Sequence, residues 1–212
     1  MATIASIFGL RAPTVYTGKH KKDPTAPSAN RLIGVELEIE NSDLHPESYR
    51  FGGISVTTDG SLRSKPGYYS IEAITAPVEV QTINGLLHGY FNKYPPASDA
   101  YSERCSVHVH FNVQDLTVEQ VASICLVYQT LERVLFTYVD ESRSQNIFCV
   151  PWYQSGLTYN YVYSLLESPN KFGAWQKYTA LNLLPVCEQG TIEFRHLEGT
   201  SDVSRITNWI YL

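Results

Sequence analysis

Residues 31–40 read RLIGVELEIE, a stretch in which apolar and polar side chains alternate strictly. One face of this stretch is aliphatic: Ile33, Val35, Leu37 and Ile39. The other face is acidic: Glu36, Glu38 and Glu40. A period of two predicts a half-buried β-strand, with the aliphatic face towards a core. A row of carboxylates on the opposite face is unusual for a strand, so this face is a candidate binding surface.

Further alternating and amphipathic segments follow along the chain. A turn at Asp59-Gly60 between residues 53–62 and 68–77 predicts a β-hairpin. Further strands are predicted over 105–113, 177–186 and 190–199, and helices over 78–94, 117–139, about 161–167 and from 201 onwards. Thr117 is the expected N-cap of the helix over 117–139, with Glu119 and Gln120 in its first turn. Hairpins outnumber β-α-β units, which favours an α+β fold with an antiparallel sheet covered on one face by helices.

Length and composition suit one globular domain rather than two. The chain has 212 residues, of which 43% are hydrophobic and 17% charged, and this is enough to build one sizeable core. Residues 1–30 end in TGKHKKDPTAPSAN and lack apolar periodicity. We therefore expect a flexible N-terminal arm over residues 1–30 and one domain over residues 31–212.

Charge and cysteine usage exclude several classes of function. A net charge of −5 argues against nucleic acid as a partner, because affinity for nucleic acid comes mainly from Lys and Arg. No stretch has the length of a membrane span, and the first residues lack the basic region of a signal peptide. The four cysteines form no C-x-x-C pair, so neither a disulfide framework nor a zinc ribbon is indicated. We expect a cytoplasmic protein with reduced thiols.

Three predicted strands carry ionisable residues two positions apart, and a fourth carries one acid. The pairs are Glu36 and Glu38, His108 and His110, and Glu193 and Arg195, and the single acid is Glu72. Residues two apart project from the same strand face, so neighbouring strands would merge these groups into one surface. Clustered carboxylates with an imidazole suit Mg²⁺ or Mn²⁺. Taken singly, each pair could also be a solvated strand face, a zinc pair or a surface salt bridge.

At the level of motifs the chain resembles a known family. The motifs, in order, are GVELEIE (34–40), DGSL (59–62), EAITAP (72–77), CSVHVHFN (105–112), SRSQNIFC (142–149), KYTALNLLP (177–185) and GTIEFRHLEGT (190–200). Together they resemble the amidoligases, a branch of the carboxylate-amine ligase superfamily that includes glutamine synthetase and glutamate-cysteine ligase. The resemblance implies a curved antiparallel sheet like the glutamine synthetase catalytic core.

The resemblance also implies roles for individual residues. The implied metal ligands are Glu36, Glu38, Glu72, His108 and Glu193. His110 would face the phosphates of ATP, and Arg195 would stabilise charge on the γ-phosphoryl group. Asp59 and Arg143 would contact substrate or phosphate, with Asn182 a weaker candidate.

The implied activity is ATP-dependent amide-bond formation through an acyl phosphate at a di-metal site that holds Mg²⁺ or Mn²⁺. Its substrates would be small-molecule or peptide carboxylates and amines. Two alternatives stay open: a catalytically silent ligase fold in a viral or other assembly, and a metal-dependent hydrolase. A phage-encoded member of the family would act in the host cytoplasm.

The sequence departs from the family pattern in three places. Ser106 stands where small, glycine-like residues are common in relatives, which is a mild change. Ser144 stands where relatives carry a second Arg, so one basic contact to substrate is missing. The chain stops at Leu212 inside a predicted helix, so we expect either a second copy or an assembly partner to cover that helix, or a shortened protein.

Overall fold

The computed structural model describes residues 1–28, 31–168, 172 and 175–212. Its strands are β1 (Leu32–Ser42), β2 (Ile54–Thr58), β3 (Tyr69–Thr75), β4 (Val78–Glu79), β5 (Ser106–Asn112), β6 (Leu181–Asn182) and β7 (Thr191–Glu198). Its helices are α1 (Ile4–Phe8), α2 (Ile83–Lys93), α3 (Val118–Leu135), α4 (Trp152–Ser155), α5 (Tyr159–Leu166), α6 (Pro185–Glu188) and α7 (Val203–Tyr211). Across the described ranges, no helix combines the length and the apolarity that a membrane crossing requires.

The strands form a seven-stranded antiparallel sheet in the order β2-β3-β1-β5-β7-β6, with β4 pairing with β1, and the sheet is not closed into a barrel. The predicted α+β class with an antiparallel sheet and flanking helices is confirmed. The hairpin prediction is also confirmed, because β2 and β3 pair antiparallel from Ile54 opposite Thr75 to Thr58 opposite Ile71.

The chain divides into two compact units, and neither is a continuous segment. We call residues Thr14–Val109 and Leu197–Leu212 the acidic unit, and residues Met1–Pro13 and His110–His196 the helical unit. The predicted boundary between an arm over 1–30 and a domain over 31–212 stays a prediction.

The acidic unit is built on the aliphatic face of β1. Ile33, Val35 and Leu37 are at most 1% exposed, as their alternation predicts. Helices α2 and α7 pack against each other in this unit. Asp202 caps α7 by accepting a hydrogen bond from the backbone N–H of Arg205. The aliphatic face of β1 therefore belongs to the core, and its acidic face is left for other contacts.

The helical unit has a core around α3. Thr117 is the N-cap of this helix, as predicted, and it forms a capping box with Gln120. The predicted strand over residues 177–186 is wrong for most of its length, because β6 has only two residues and Pro185 begins α6. Proline lacks a backbone N–H and is well suited to the first turn of a helix.

Helix α1 was not predicted from the sequence. The side chain of Ile4 is fully buried, and its N–H donates to the carbonyl oxygen of Leu116 at 2.8 Å. Five residues are too few to show an amphipathic period, so this helix is stabilised by tertiary contacts rather than by its own pattern.

Candidate active site

The register of β1 and β3 brings acidic residues directly opposite each other in the acidic unit. Glu38 pairs with Glu72, and Glu36 pairs with Ile74, which places Glu36 diagonal to Glu72. Residues directly opposite on antiparallel strands have Cβ atoms about 4.5–5.5 Å apart. Like charges in such a pair destabilise a sheet unless a cation or a proton neutralises them.

Five predicted site residues of the acidic unit fall into two groups with the spacing of metal ligands. Ligand atoms of Glu36, Glu72 and His108 lie within 4.8 Å of one another, and so do those of Glu38, Asp59 and Glu72. Glu72 belongs to both groups, so the two groups adjoin. Asp59 comes from the turn after β2, where its Oδ1 also accepts the N–H of Ser61 at 2.7 Å.

Acidic side chains outnumber basic ones in these groups, with four carboxyls and one imidazole. Burial and the carboxylate of Glu36 raise the pKa of Glu72 from 4.5 to about 7, with Asp59 and Glu38 adding to the rise and His108 opposing it. A carboxyl with a pKa near 7 is partly protonated near neutral pH. This proton occupies the electrostatic role that a cation would take.

Ser106 links Glu38 to His108 on the polar side of the sheet. Its backbone N–H and its hydroxyl both donate to Oε2 of Glu38, at 2.7 and 2.6 Å. The same hydroxyl lies 2.7 Å from Nε2 of His108, whose Nδ1 lies 3.0 Å from Oε2 of Glu36. The chain Glu36–His108–Ser106–Glu38 therefore fixes the orientation of three predicted ligands.

No role was predicted for Ser106, which had only marked a mild departure from the family pattern. The signal that could have found it is its position two residues before His108, which puts its side chain on the same strand face. It is 1% exposed, so its hydroxyl has to find a partner inside the protein.

The helical unit holds the remaining predicted residues around Glu193. Nη1 of Arg195 donates to Oε1 of Glu193 at 2.6 Å, and Nδ2 of Asn182 donates to Oε2 at 2.6 Å. His110 lies with Nδ1 3.0 Å from the hydroxyl of Thr191, and its Nε2 is 4.0 Å from Oε1 of Glu193. Asn182 thus acts as a support for Glu193, a contact that the pairing of β6 with β7 produces. The metal role of Glu193 stays a prediction.

Arg143 is 1% exposed and contacts the backbone of β7. Its Nε donates to the carbonyl oxygen of His196 at 3.0 Å, and its Nη2 donates to that of Arg195 at 2.8 Å. These bonds hold the segment of β7 that carries Arg195. A contact of Arg143 with substrate or phosphate stays a prediction.

The donor set of the acidic unit fits a hard divalent cation. Carboxylate oxygens dominate both groups and one imidazole joins them, a combination that suits Mg²⁺ or Mn²⁺ better than soft, thiolate-binding metals. Carboxylates that are arranged to bind a cation repel one another when no cation is present, and this repulsion raises their pKa. The crowding and the raised pKa of Glu72 are consistent with such an arrangement.

Comparison with known proteins agrees with the motif resemblance. A family model described as "Putative amidoligase enzyme" matches residues 14–212. A search of curated proteins and a search of solved structures each gave no match. The family match spans nearly the whole chain and includes every residue of the two ligand groups of the acidic unit. The chain therefore belongs to the amidoligase family.

Proposed function

We propose that this protein is an ATP-dependent carboxylate-amine ligase that forms amide bonds through an acyl phosphate. The observation that carries the proposal is the pair of adjoining ligand groups that share Glu72, in a member of the amidoligase family. Two adjoining groups of hard ligands are the arrangement that a di-metal phosphoryl-transfer site needs.

Glu36, Glu72 and His108 would hold one cation, and Glu38, Asp59 and Glu72 a second. When bound, Mg²⁺ or Mn²⁺ would neutralise the phosphate charge of ATP. Ser106 positions Glu38 and His108 for this role through its hydrogen bonds. Such outer contacts orient ligands and raise metal affinity.

In the first step of the proposed reaction, an oxygen of the substrate carboxylate attacks the γ-phosphorus of ATP, and ADP leaves. In the second step, the amine attacks the acyl carbon and inorganic phosphate leaves with the electron pair of the broken C–O bond. The amine loses one proton. Each amide formed therefore consumes one ATP and releases one phosphate.

Arg195 and His110 would act on the phosphates. The guanidinium of Arg195 is held by Oε1 of Glu193 and by its Nε donating to the carbonyl oxygen of Phe148 at 3.2 Å. A cation fixed in this way needs little reorganisation when charge moves on the phosphoryl group. The assignment of both residues to phosphate rests on the family resemblance.

The first test is calorimetry with a non-hydrolysable ATP analogue, with and without Mn²⁺. We expect binding that needs Mn²⁺ and that the double variant Glu36→Gln/Glu38→Gln loses. The matched control is Glu47→Gln, an acid in the same unit whose side chain is 86% exposed and which belongs to neither ligand group. Absence of Mn²⁺-dependent nucleotide binding in the wild type would contradict the proposal and favour a silent ligase fold.

The second test is turnover with hydroxylamine as a general amine. Carboxylic acids are offered in pools with ATP and Mn²⁺, and an acyl phosphate reacts with hydroxylamine to give a hydroxamate. We expect hydroxamate and phosphate in equal amounts, and only with ATP present. Hydrolysis of an amide or ester with Mn²⁺ and no nucleotide would instead support a metal-dependent hydrolase.

A further inference from the structure

A second feature of the acidic unit is a cavity of about 330 Å³ at the end of β1. None of the ligand groups described above lines it. The lining includes two acids and four tyrosines: Glu40, Asp43, Tyr49, Tyr68, Tyr90 and Tyr94. Among the described residues that line it, none is Lys, Arg or His. A cavity of this size and polarity can enclose a small organic ligand.

Three of the tyrosines form one aromatic wall. The ring centroids of Tyr49 and Tyr94 are 4.7 Å apart, those of Tyr90 and Tyr94 are 5.6 Å apart, and those of Tyr49 and Tyr90 are 6.3 Å apart. Aromatic faces carry negative charge density and attract cations. The ammonium of Lys93 donates to the carbonyl oxygen of Arg50 at 2.7 Å and lies 5.0 Å from the centroid of the Tyr94 ring, so this wall already contacts one ammonium group of the chain itself.

The hydroxyl of Tyr90 differs from those of its two neighbours. The Tyr49 hydroxyl lies 2.6 Å from Oγ of Ser42, and the Tyr94 hydroxyl accepts the N–H of Arg50 at 2.9 Å. Tyr90 is 0% exposed, and within the described part of the chain its hydroxyl has no hydrogen-bond partner. Buried hydroxyls are normally paired, so the unpaired oxygen of Tyr90 leaves an acceptor for a donor placed in the cavity. Burial raises the pKa of Tyr90, which keeps the phenol neutral with lone pairs free to accept.

The rim of the cavity is fixed in place before any ligand arrives. The register of β1 shifts between Ile39 and Ser42, and Asn41 adopts a left-handed conformation with φ of 56°. Its N–H donates to Oγ of Ser64, its Oδ1 accepts the N–H of Lys65, and its Nδ2 donates to the carbonyl oxygen of Asp99, each at 2.9 Å. A non-glycine residue held in this region is a feature that clusters at ligand sites.

We propose that this cavity binds the primary ammonium group of a small organic amine. The aromatic wall contacts the cation on one side, the oxygen of Tyr90 accepts one of its N–H groups, and Asp43 adds negative charge at the rim. The inference does not depend on the proposed ligase activity, because it concerns a different set of residues and is tested without metal or nucleotide.

The test compares three probes of similar shape by NMR titration in EDTA: butylammonium, butan-1-ol and butyltrimethylammonium. Butylammonium has charge and N–H groups, the alcohol lacks the charge, and the quaternary ion lacks the N–H. We expect butylammonium to bind at least about fivefold more tightly than the alcohol, since a desolvated cation-π contact is worth that factor or more.

Variants separate the charge from the hydrogen bond. Tyr90→Phe removes only the hydroxyl, and we expect it to reduce the preference for butylammonium over the quaternary ion by about threefold or more. Asp43→Asn should weaken both cations, whereas Glu47→Gln, which does not line the cavity, should weaken neither. Equal binding of the alcohol, or unchanged binding by Tyr90→Phe, would overturn the proposal.

Discussion

Replacing Glu72 by Gln should stabilise the metal-free protein at alkaline pH. Glu72 lies opposite Glu38, and its pKa is raised from 4.5 to about 7 by burial first and by Glu36 next. The folded state therefore holds the proton more tightly than the unfolded state. The contribution of Glu72 to folding stability is fully present below about pH 4.5 and is lost as the pH rises through 7.

The size of the effect follows from the same pKa values. A rise from 4.5 to about 7 corresponds to about 3 kcal/mol of lost folding free energy at pH 8. Glu72 keeps partial exposure, so solvent screening reduces this to about 2 kcal/mol. For a chain of this length that is a rise in Tm of about 4–8 °C for Glu72→Gln at pH 8.

The assay is thermal unfolding followed by circular dichroism in EDTA at several values of pH between 4.5 and 8. The advantage of Glu72→Gln should shrink towards zero at the acid end, and Glu47→Gln should follow the wild type throughout. Mn²⁺ at pH 8 should reverse the order, because it stabilises the wild type and not the variant. Identical pH dependence of wild type and Glu72→Gln would refute the raised pKa assigned to Glu72.

Three further changes test other parts of the structure. Ser106→Ala removes the hydroxyl that links Glu38 and His108, and it should lower Mn²⁺ affinity about 10- to 100-fold by calorimetry. Arg195→Ala should lower hydroxamate formation at least about 100-fold while leaving Mn²⁺ binding to the acidic unit within about twofold. Thr117→Ala removes the cap of α3 and should cost about 1 kcal/mol in urea unfolding, with nucleotide binding unchanged.

Each of these expectations has an outcome that contradicts it. If Ser106→Ala keeps the wild-type affinity for Mn²⁺, the hydrogen bonds of Ser106 do not orient Glu38 and His108 for metal binding. Full turnover in Arg195→Ala would remove that residue from phosphoryl transfer. Loss of nucleotide binding in Thr117→Ala at a temperature where the variant is folded would show that α3 affects the site.

The sequence predicted the strands that carry the site because their signal is local. The alternation in β1 is dictated by burial on one side and ionisable groups on the other, and the same holds for β5 and β7. The hairpin and the cap of α3 are also local, since turn residues and a Thr-x-x-Gln pair are enough to indicate them.

What the sequence did not predict depends on contacts between distant segments. The pairing of Glu38 with Glu72 is a matter of register, which no single strand contains. Helix α1 depends on a bond to Leu116, and the cavity at the end of β1 depends on a bulge and on tyrosines from three separate segments. Strand β6 was overestimated because an apolar run such as 177–186 does not show where pairing stops.

The division of the chain into units has a consequence for its synthesis. Residues 14–109 leave the ribosome before residues 110–196, yet the acidic unit also needs residues 197–212, which carry α7. Ile206 and Ile210 are at most 6% exposed, so part of this core stays open to water until α7 has emerged. A nascent chain therefore carries an unfinished acidic unit while the whole of residues 110–196 is translated. No single proteolytic cut can separate the two units as intact pieces.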